Sequence, residues 1–216
     1  MLDLFNGEAP WLEPLAPGAG ILRRFAFADA PTLLEQIDEI ARRAPFRHMV
    51  TPGGYTMSVA MTNCGALGWT TDAGGYRYAP VDPLTGAPWP AIPASFLALC
   101  HRAAQALDYG DFHPDACLIN RYETGARLSL HQDKDESDLR APIVSVSLGV
   151  AAVFQFGGLR RSDPLRRVLL EHGDVVVWGG PSRLFYHGIL PLKPLSHPLT
   201  GTLRYNLTFR QAAKAN

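Results

Sequence analysis

The chain has 216 residues, of which 47% are hydrophobic, a composition typical of one globular domain with a sizeable core. Its 20 basic and 20 acidic residues balance, so the net charge neither requires nor excludes a polyanionic partner. Cys64, Cys100 and Cys117 are widely spaced and form no C-x-x-C pair, which argues against a disulfide scaffold and favours a reducing compartment. The N-terminus does not resemble a secretory signal, and the sequence has no apolar run of membrane-spanning length, so we expect a cytoplasmic protein.

The first predicted elements are a strand and a helix. The run "ILRRFAF" (21–27) is typical of a strand. Pro31 opens a helix whose apolar residues recur at helical spacing, and Pro45 ends it. A second helix is predicted from about Pro93 to Leu107.

A glycine-rich, aromatic segment, residues 51–90, separates the two helices. Its pieces "YTMSVAM" and "GYRY" are predicted to be short strands joined by turns. We interpret this segment as an elaboration of the domain or a lid on it.

The remainder of the chain, from Cys117 onward, is a series of short strand-like runs punctuated by Gly and Pro. The runs are 117–122, 127–131, 143–148, 152–156, 166–170, 174–178, 184–187 and 203–209. Many short strands and few helices indicate a mainly β (α+β) fold, a sandwich or jelly roll with the two helices on its outer face. We expect one domain over residues 1–216.

A possible metal site begins at His131 and Asp133. On an extended chain these two side chains point to the same face. His187, which follows another strand-like run, is the natural third ligand, and the set would be the two-histidine, one-carboxylate triad of non-haem Fe(II) oxygenases. The same ligands also suit zinc and manganese, and a surface turn beside a structural histidine is the alternative.

The C-terminal run "RYNLTFR" (204–210) predicts a strand with one cationic, hydrogen-bonding face. A solvated face is the alternative, but two arginines flanking small polar side chains are suited to a compact dicarboxylate. A second run, "LINRY", adds an amide and a phenol on one face. The candidate cosubstrate residues on these two faces are Leu118, Asn120, Tyr122, Arg204, Asn206, Thr208 and Arg210.

Taken together, H-x-D, a distant His and R-x-N-x-T-x-R resemble the AlkB family of Fe(II)/2-oxoglutarate-dependent nucleic-acid dealkylases. The similarity extends over nearly the whole chain, including "TPGGYTMSVAMTNCG", "CLINRY", "LSLHQDKDE", "EHGDVVVWGG" and "SRLFYHGI". It implies a double-stranded β-helix (jelly-roll) core, Fe(II) held by His131, Asp133 and His187, and 2-oxoglutarate and O2 as cosubstrates. The implied reaction is oxidative demethylation of 1-methyladenine and 3-methylcytosine, which releases formaldehyde, succinate and CO2.

The predicted lid carries the candidate substrate contacts. A flipped base is gripped between aromatic or apolar faces, and Trp69, Tyr76, Met57 and Met61 offer such faces. By the resemblance, Trp69 stacks the base against His131 and Asp135 accepts a hydrogen bond from its exocyclic amine. The resemblance also implies that the phosphodiester or its surroundings are contacted by Thr51, Tyr76, Ser129, Lys134 and Arg161. Arg77 and Tyr78 are further candidate substrate residues. We expect a monomer acting on alkylated single- or double-stranded DNA, with RNA as a further substrate.

Three other functions are consistent with parts of this pattern. The first is a 2-oxoglutarate-dependent hydroxylase of a protein or small molecule. The second is a non-catalytic jelly-roll binding protein, and the third is a general nucleic-acid-binding module. The sequence leaves open the lesion range, the choice between DNA and RNA, the strand preference and the oligomeric state.

Overall fold

Fourteen β-strands and two α-helices form residues 9–213, the part of the chain that the computed structural model describes. The helices are α1 (Ala30–Arg43) and α2 (Ala94–Gln105). In chain order the strands are β1 (Trp11–Ala16), β2 (Ala19–Arg23), β3 (Arg47–Val50), β4 (Thr56–Gly65), β5 (Gly68–Asp72), β6 (Gly75–Ala79), β7 (Ala116–Tyr122), β8 (Leu128–His131), β9 (Ile143–Gly149), β10 (Ala152–Phe156), β11 (Arg166–Leu170), β12 (Val175–Trp178), β13 (His187–Ile189) and β14 (Arg204–Arg210).

The strands form two facing antiparallel sheets and one separate hairpin. The larger sheet has the order β1-β2-β12-β9-β14-β7-β4-β3, and the smaller sheet has the order β11-β10-β13-β8. Strands β5 and β6 pair only with each other. This arrangement confirms the predicted mainly β, jelly-roll class.

The larger sheet is buried on both faces, which explains its nearly continuous apolar strands. Strand β12 shows the alternation: Val175 and Val177 pack in the core beneath the helices, whereas Val176 and Trp178 pack between the sheets. The helices contribute residues at helical spacing to the first core, for example Leu33 and Ile37 of α1 and Phe96 of α2. Both helices therefore lie on the outer face of the larger sheet, as predicted.

Two predicted strands have different bounds in the structure. The run 21–27 leaves the strand after Arg23 because Arg24 adopts a positive φ of 56° and a turn follows, in which the Phe27 N–H donates to the Arg24 carbonyl at 3.0 Å. The run 184–187 is mostly a turn after the short 3-10 helix Gly180–Ser182, and its strand begins only at His187. The sequence reading also missed β1, β3 and β5.

The predicted lid, 51–90, is not one structural unit. Its strand β4 lies in the larger sheet beside β7, whereas β5 and β6 form a separate two-stranded sheet. The side chain of Asn63 on β4 contacts this hairpin, because it forms hydrogen bonds with the Trp69 carbonyl at 3.0 Å and the Trp69 N–H at 3.1 Å. The predicted domain of 1–216 also includes residues 1–8 and 214–216, which lie outside the described part of the chain.

Two further sequence expectations can be compared with the structure. All three cysteines are buried and free. Within residues 9–213, neither helix is long and apolar enough to cross a membrane.

Candidate active site

Antiparallel pairing in the smaller sheet brings the candidate metal ligands together. In the register of β8 and β13, His131 lies opposite His187. Asp133 follows β8 by two residues, and its carboxylate lies 3.7 Å from Nε2 of His131 and 3.6 Å from Nε2 of His187. One ligand atom from each residue lies within 4.8 Å of the other two, a spacing that a single ion can bridge.

The tautomers of both histidines suit metal binding. Nδ1 of His131 lies 2.8 Å from the Ser129 carbonyl, and Nδ1 of His187 lies 2.9 Å from the Phe185 carbonyl. A carbonyl can only accept, so both Nδ1 atoms carry the proton and both Nε2 atoms keep a free lone pair. Such backbone contacts also fix the orientation of metal-binding rings.

Burial or neighbouring charges lower the pKa of two residues of the triad, His131 and Asp133. Burial, together with neighbouring His187, lowers the pKa of His131 to about 4. Burial alone would raise the pKa of the Asp133 carboxyl, but Arg210 and the two histidines hold it well below its usual range. Arg210 donates two hydrogen bonds to Oδ2 of Asp133, from Nη2 at 2.8 Å and from Nε at 3.2 Å. Oδ1 of Asp133 is therefore left for a metal.

The predicted cosubstrate face is present on adjoining strands. Strand β14 pairs with β7 so that Asn206 lies opposite Asn120 and Arg204 lies opposite Tyr122. Asn206 Nδ2 donates to Ser145 Oγ at 2.8 Å, and Thr208 Oγ1 donates to Asn206 Oδ1 at 2.9 Å. Hydrogen bonds of this kind fix the polar groups of the face before any ligand arrives.

Arg204 is a buried cation without a carboxylate partner among the described residues. Its residue surface is 1% exposed, and its nearest polar contacts are Ser147 Oγ at 3.1 Å and the Tyr205 carbonyl at 3.3 Å. Within residues 9–213 its Nε has no hydrogen-bond partner, and burial lowers its pKa. A buried charge is costly unless it is paired, so this guanidinium is suited to an anionic ligand.

A cavity of about 750 Å³ joins the triad, the cosubstrate face and the lid. Nearly all the predicted site residues line it. They are Thr51, Met57, Met61, Trp69, Leu118, Asn120, Tyr122, Tyr76, Ser129, His131, Asp133, Lys134, Asp135, Arg161, His187, Arg204, Asn206, Thr208 and Arg210. The volume is within the range of small-molecule and cofactor sites.

At the mouth of this cavity, two aromatic rings of the hairpin stack on each other. Trp69 and Tyr76 stack with ring centroids 5.6 Å apart and an interplanar angle of 20°. The Trp69 indole N–H also donates to Oδ2 of Asp135 at 3.0 Å. An aromatic surface and an exposed carboxylate therefore lie side by side above the triad.

Two predicted substrate residues do not line this cavity. Arg77 forms an exposed ion pair with Asp72 at 2.6 Å within the hairpin. The Tyr78 hydroxyl donates to Oε1 of Glu136 at 2.6 Å, away from the cavity. Neighbouring Tyr76 lines the cavity, so adjacent positions of one short strand have different environments.

The sequence reading missed several residues that shape the site. Trp178 packs edge-on against His187, with ring centroids 4.9 Å apart, and Ser145 anchors Asn206. The alternation in "VVVWGG" is a signal that could have identified Trp178 as facing the interior. No local pattern distinguishes the buried Glu136 and Arg183, which pair at 3.0 Å across the site.

The fold and the ligand set agree with comparisons to known proteins. The 2OG-Fe(II) oxygenase superfamily model matches residues 18–210. The chain therefore belongs to this superfamily, whose enzymes use Fe(II), 2-oxoglutarate and O2.

Individual relatives narrow the assignment. The alpha-ketoglutarate-dependent dioxygenase AlkB of Salmonella typhimurium is 74% identical over 214 residues, and the match covers 99% of both chains. The solved structure of OsALKBH1 matches with a TM-score of 0.82 at 31% identity, covering 93% of this chain and 100% of its own. The mouse nucleic acid dioxygenase ALKBH1 is 32% identical over 107 residues, which cover 50% of this chain and 27% of the mouse protein. Within the superfamily, the chain is a member of the AlkB dioxygenases.

Proposed function

We propose that this dioxygenase removes methyl groups from alkylated nucleobases of the 1-methyladenine and 3-methylcytosine type. The substrate is alkylated DNA, with RNA as a second substrate, and the products are the restored base, formaldehyde, succinate and CO2. A methyl group is the simplest alkyl group that a lesion of this type can carry. The name of the mouse relative, a nucleic acid dioxygenase, supports the substrate class.

The observation that supports this proposal best is the arrangement of one cavity. Trp69, Tyr76 and Asp135 stand at its mouth, and the three candidate metal ligands lie deeper in the same space. A flat, cationic base fits between an aromatic surface and a carboxylate. A general hydroxylase of small molecules would not need this combination.

The residues present fit both cofactors. His131, Asp133 and His187 would hold Fe(II) through two imidazole Nε2 atoms and one carboxylate oxygen, a ligand set that leaves open positions. Arg204 would bind one end of 2-oxoglutarate, with Asn120, Tyr122 and Asn206 around it. When bound, Fe(II) and 2-oxoglutarate supply the oxidising power that hydroxylates a C–H bond of the methyl group, using O2.

The chain itself positions the base and selects for its charge. Trp69 provides a stacking face, and Asp135 provides an acceptor for the exocyclic amine. A carboxylate close to the ring favours a base that carries positive charge, as 1-methyladenine and 3-methylcytosine do. Hydroxylation of the methyl group makes it labile, and it leaves as formaldehyde.

The rim of the cavity suits a nucleic-acid backbone. Lys134 and Arg161 are exposed cations that line it, and Arg161 also lies over the Tyr186 ring at 5.1 Å. Thr51 and Ser129 add hydrogen-bonding groups at the same edge. We assign these side chains to the phosphodiester, because such contacts orient the strand without reading its sequence.

The lid in this proposal consists of the β3–β4 loop, residues 51–55, and the hairpin β5–β6. Because chemistry on a base requires that the base leave the stack, a single-stranded or locally opened duplex is the expected form of the substrate. We further propose a monomer. The three buried, free cysteines support a reducing compartment, the cytoplasm.

Formaldehyde release from a panel of methylated oligonucleotides, with and without 2-oxoglutarate, tests the proposal directly. The Asp135→Asn variant should lose most of its preference for cationic over neutral methylated bases, because only the charge is removed. Asp138→Asn is a matched control, since Asp138 pairs with Arg140 at 2.7 Å and does not line the cavity. Succinate formation without any dependence on a methylated base would contradict the proposal.

A further inference from the structure

The hairpin β5–β6 is tied to the segment that follows the metal ligand Asp133 by two side-chain hydrogen bonds. Trp69 on β5 and Tyr78 on β6 are partners in the hairpin register. Trp69 donates to Asp135 at 3.0 Å, and Tyr78 donates to Glu136 at 2.6 Å. Paired residues of the hairpin therefore hold two adjacent carboxylates, two and three positions after Asp133.

These two bonds differ in their environment. Asp135 is exposed at the cavity mouth, whereas Glu136 is buried, with 2% of its side chain exposed. Water competes for the first bond and is excluded from the second, so the bond from Tyr78 is the stronger anchor. Burial, with Glu136 and Asp133 adding to it and Arg210 opposing it, raises the pKa of Tyr78 well above its usual value, so its hydroxyl remains a donor.

Glu136 belongs to a buried, charge-balanced quartet that includes Asp133. Glu136 Oε2 accepts from Arg183 Nη2 at 3.0 Å, and Glu136 Oε1 lies 3.4 Å from Arg210 Nε. Arg210 in turn holds Oδ2 of Asp133 at 2.8 Å, and Arg183 Nη1 donates to the Asp133 carbonyl at 2.6 Å. Both arginines thus contact Glu136 on one side and Asp133 on the other.

From this network we infer that Tyr78 is a positioning residue, whose hydroxyl couples the position of the hairpin β5–β6 to metal binding at Asp133. When the hairpin is seated, Tyr78 fixes Glu136, and Glu136 fixes two arginines. Arg210 orients the Asp133 carboxylate, and Arg183 holds the Asp133 backbone carbonyl. A metal bound at Asp133 favours the seated hairpin by the same factor, because coupling between two sites is reciprocal. The inference rests on the proposed function in one respect: the hairpin is taken to hold the base.

Tyr78→Phe is the variant that tests this coupling, because it removes one hydroxyl and keeps the ring. Glu136 keeps its pair with Arg183, so the quartet remains charge-balanced and the variant is expected to fold. Tyr109→Phe is a matched control, since Tyr109 is also partly buried and donates its hydroxyl elsewhere, to the Gly18 carbonyl at 2.9 Å. The probe is Co(II) alone, so neither nucleic acid nor turnover enters the measurement.

Two readouts are measured on the full chain: the Kd for Co(II) from its visible absorption, and the hydrogen exchange of hairpin amides 68–79 with and without Co(II). Outer partners of metal ligands typically change metal affinity by about 10- to 100-fold, so a group one step further out should raise the Kd roughly 3- to 10-fold. In the native chain, Co(II) should slow exchange of the hairpin by a similar factor. In Tyr78→Phe this slowing should disappear, whereas Tyr109→Phe should behave as the native chain does.

The inference is overturned if Tyr78→Phe binds Co(II) with the native Kd. It is equally overturned if Co(II) slows hairpin exchange in Tyr78→Phe as much as in the native chain, since Tyr78 would then have only a structural role. Failure of the proposed function would be seen differently, as absence of formaldehyde release from methylated oligonucleotides by the native chain. The two failures are therefore distinguishable.

Discussion

Arg204 provides the sharpest test of the cosubstrate site, through the substitution Arg204→Met. Methionine keeps most of the length and apolar stem but removes a buried guanidinium that has no carboxylate partner among the described residues. We expect the affinity for 2-oxoglutarate to fall steeply while Co(II) binding at the triad is retained.

The magnitude follows from the contacts of this side chain. A hydrogen bond to a charged group contributes about 1.5–3 kcal/mol, and a paired guanidinium–carboxylate contact makes two of them. Loss of about 3 kcal/mol corresponds to roughly a 100-fold rise in the Kd for 2-oxoglutarate.

The stability of the ligand-free Arg204→Met protein should not fall together with its affinity for 2-oxoglutarate. The substitution removes the burial cost of a cation that has no carboxylate partner in the described part of the chain. Ser147 and the Tyr205 carbonyl each lose a donor, at about 0.5–1.5 kcal/mol per bond. The thermal midpoint of the ligand-free protein should therefore stay the same or rise.

The assay is an anaerobic titration of 2-oxoglutarate into the Co(II)-loaded protein, together with thermal unfolding of the ligand-free protein. Arg121→Met is the matched control, because Arg121 lies on the neighbouring strand β7, half-buried, with its guanidinium over the Phe46 ring at 4.8 Å. A Kd for 2-oxoglutarate within about threefold of the native value in Arg204→Met would refute the reasoning, since a charged hydrogen bond contributes more than that. A large loss of stability would refute the argument about burial.

The remaining predictions concern the metal ligand and the dependence of stability on pH. Asp133→Ala should abolish succinate formation and weaken Co(II) binding, as measured by product assay and by titration; substantial turnover would contradict the triad. The free energy of unfolding should fall as pH falls from about 6.5 toward 4. Burial, aided by His197, lowers the pKa of His172 to about 4 in the folded chain. Between these pH values the unfolded chain therefore binds more protons than the folded chain, and protonation favours unfolding. His172→Gln should reduce the difference between urea midpoints at pH 7 and pH 5, and an unchanged difference would count against His172 as its source.

Much of the fold was predictable because its signals are local. The helices α1 and α2 follow from apolar residues at helical spacing and from the prolines that bound them. Most strands after Cys117 follow from short apolar runs between turn residues. The short edge strand β3 and the strand β1 lack such a run, because each of them has only one buried position.

Some residues of the candidate site could be predicted from the sequence, whereas the contacts of others could not. Strand β14 shows its polar face in the sequence, since strict alternation puts Arg204 and Asn206 on one side and Leu207 on the other. Tyr78 was predicted to contact the substrate, yet the structure directs its hydroxyl to Glu136. The carboxylate that a hydroxyl reaches depends on how the hairpin packs against the rest of the chain. This packing is not a local property of the sequence.

The sequence by itself determined the class of fold, the alternating faces of β7 and β14, and the type of ligands available at His131 and Asp133. These features depend on the period of two along a strand and on side-chain chemistry, both of which are local. Only the tertiary structure decided that His187 lies opposite His131 and that Tyr78 and Arg183 converge on Glu136. It also decided that Arg204 is buried with no carboxylate partner among residues 9–213. Each of these depends on strand pairing and sheet packing between distant segments, which no window of the sequence contains.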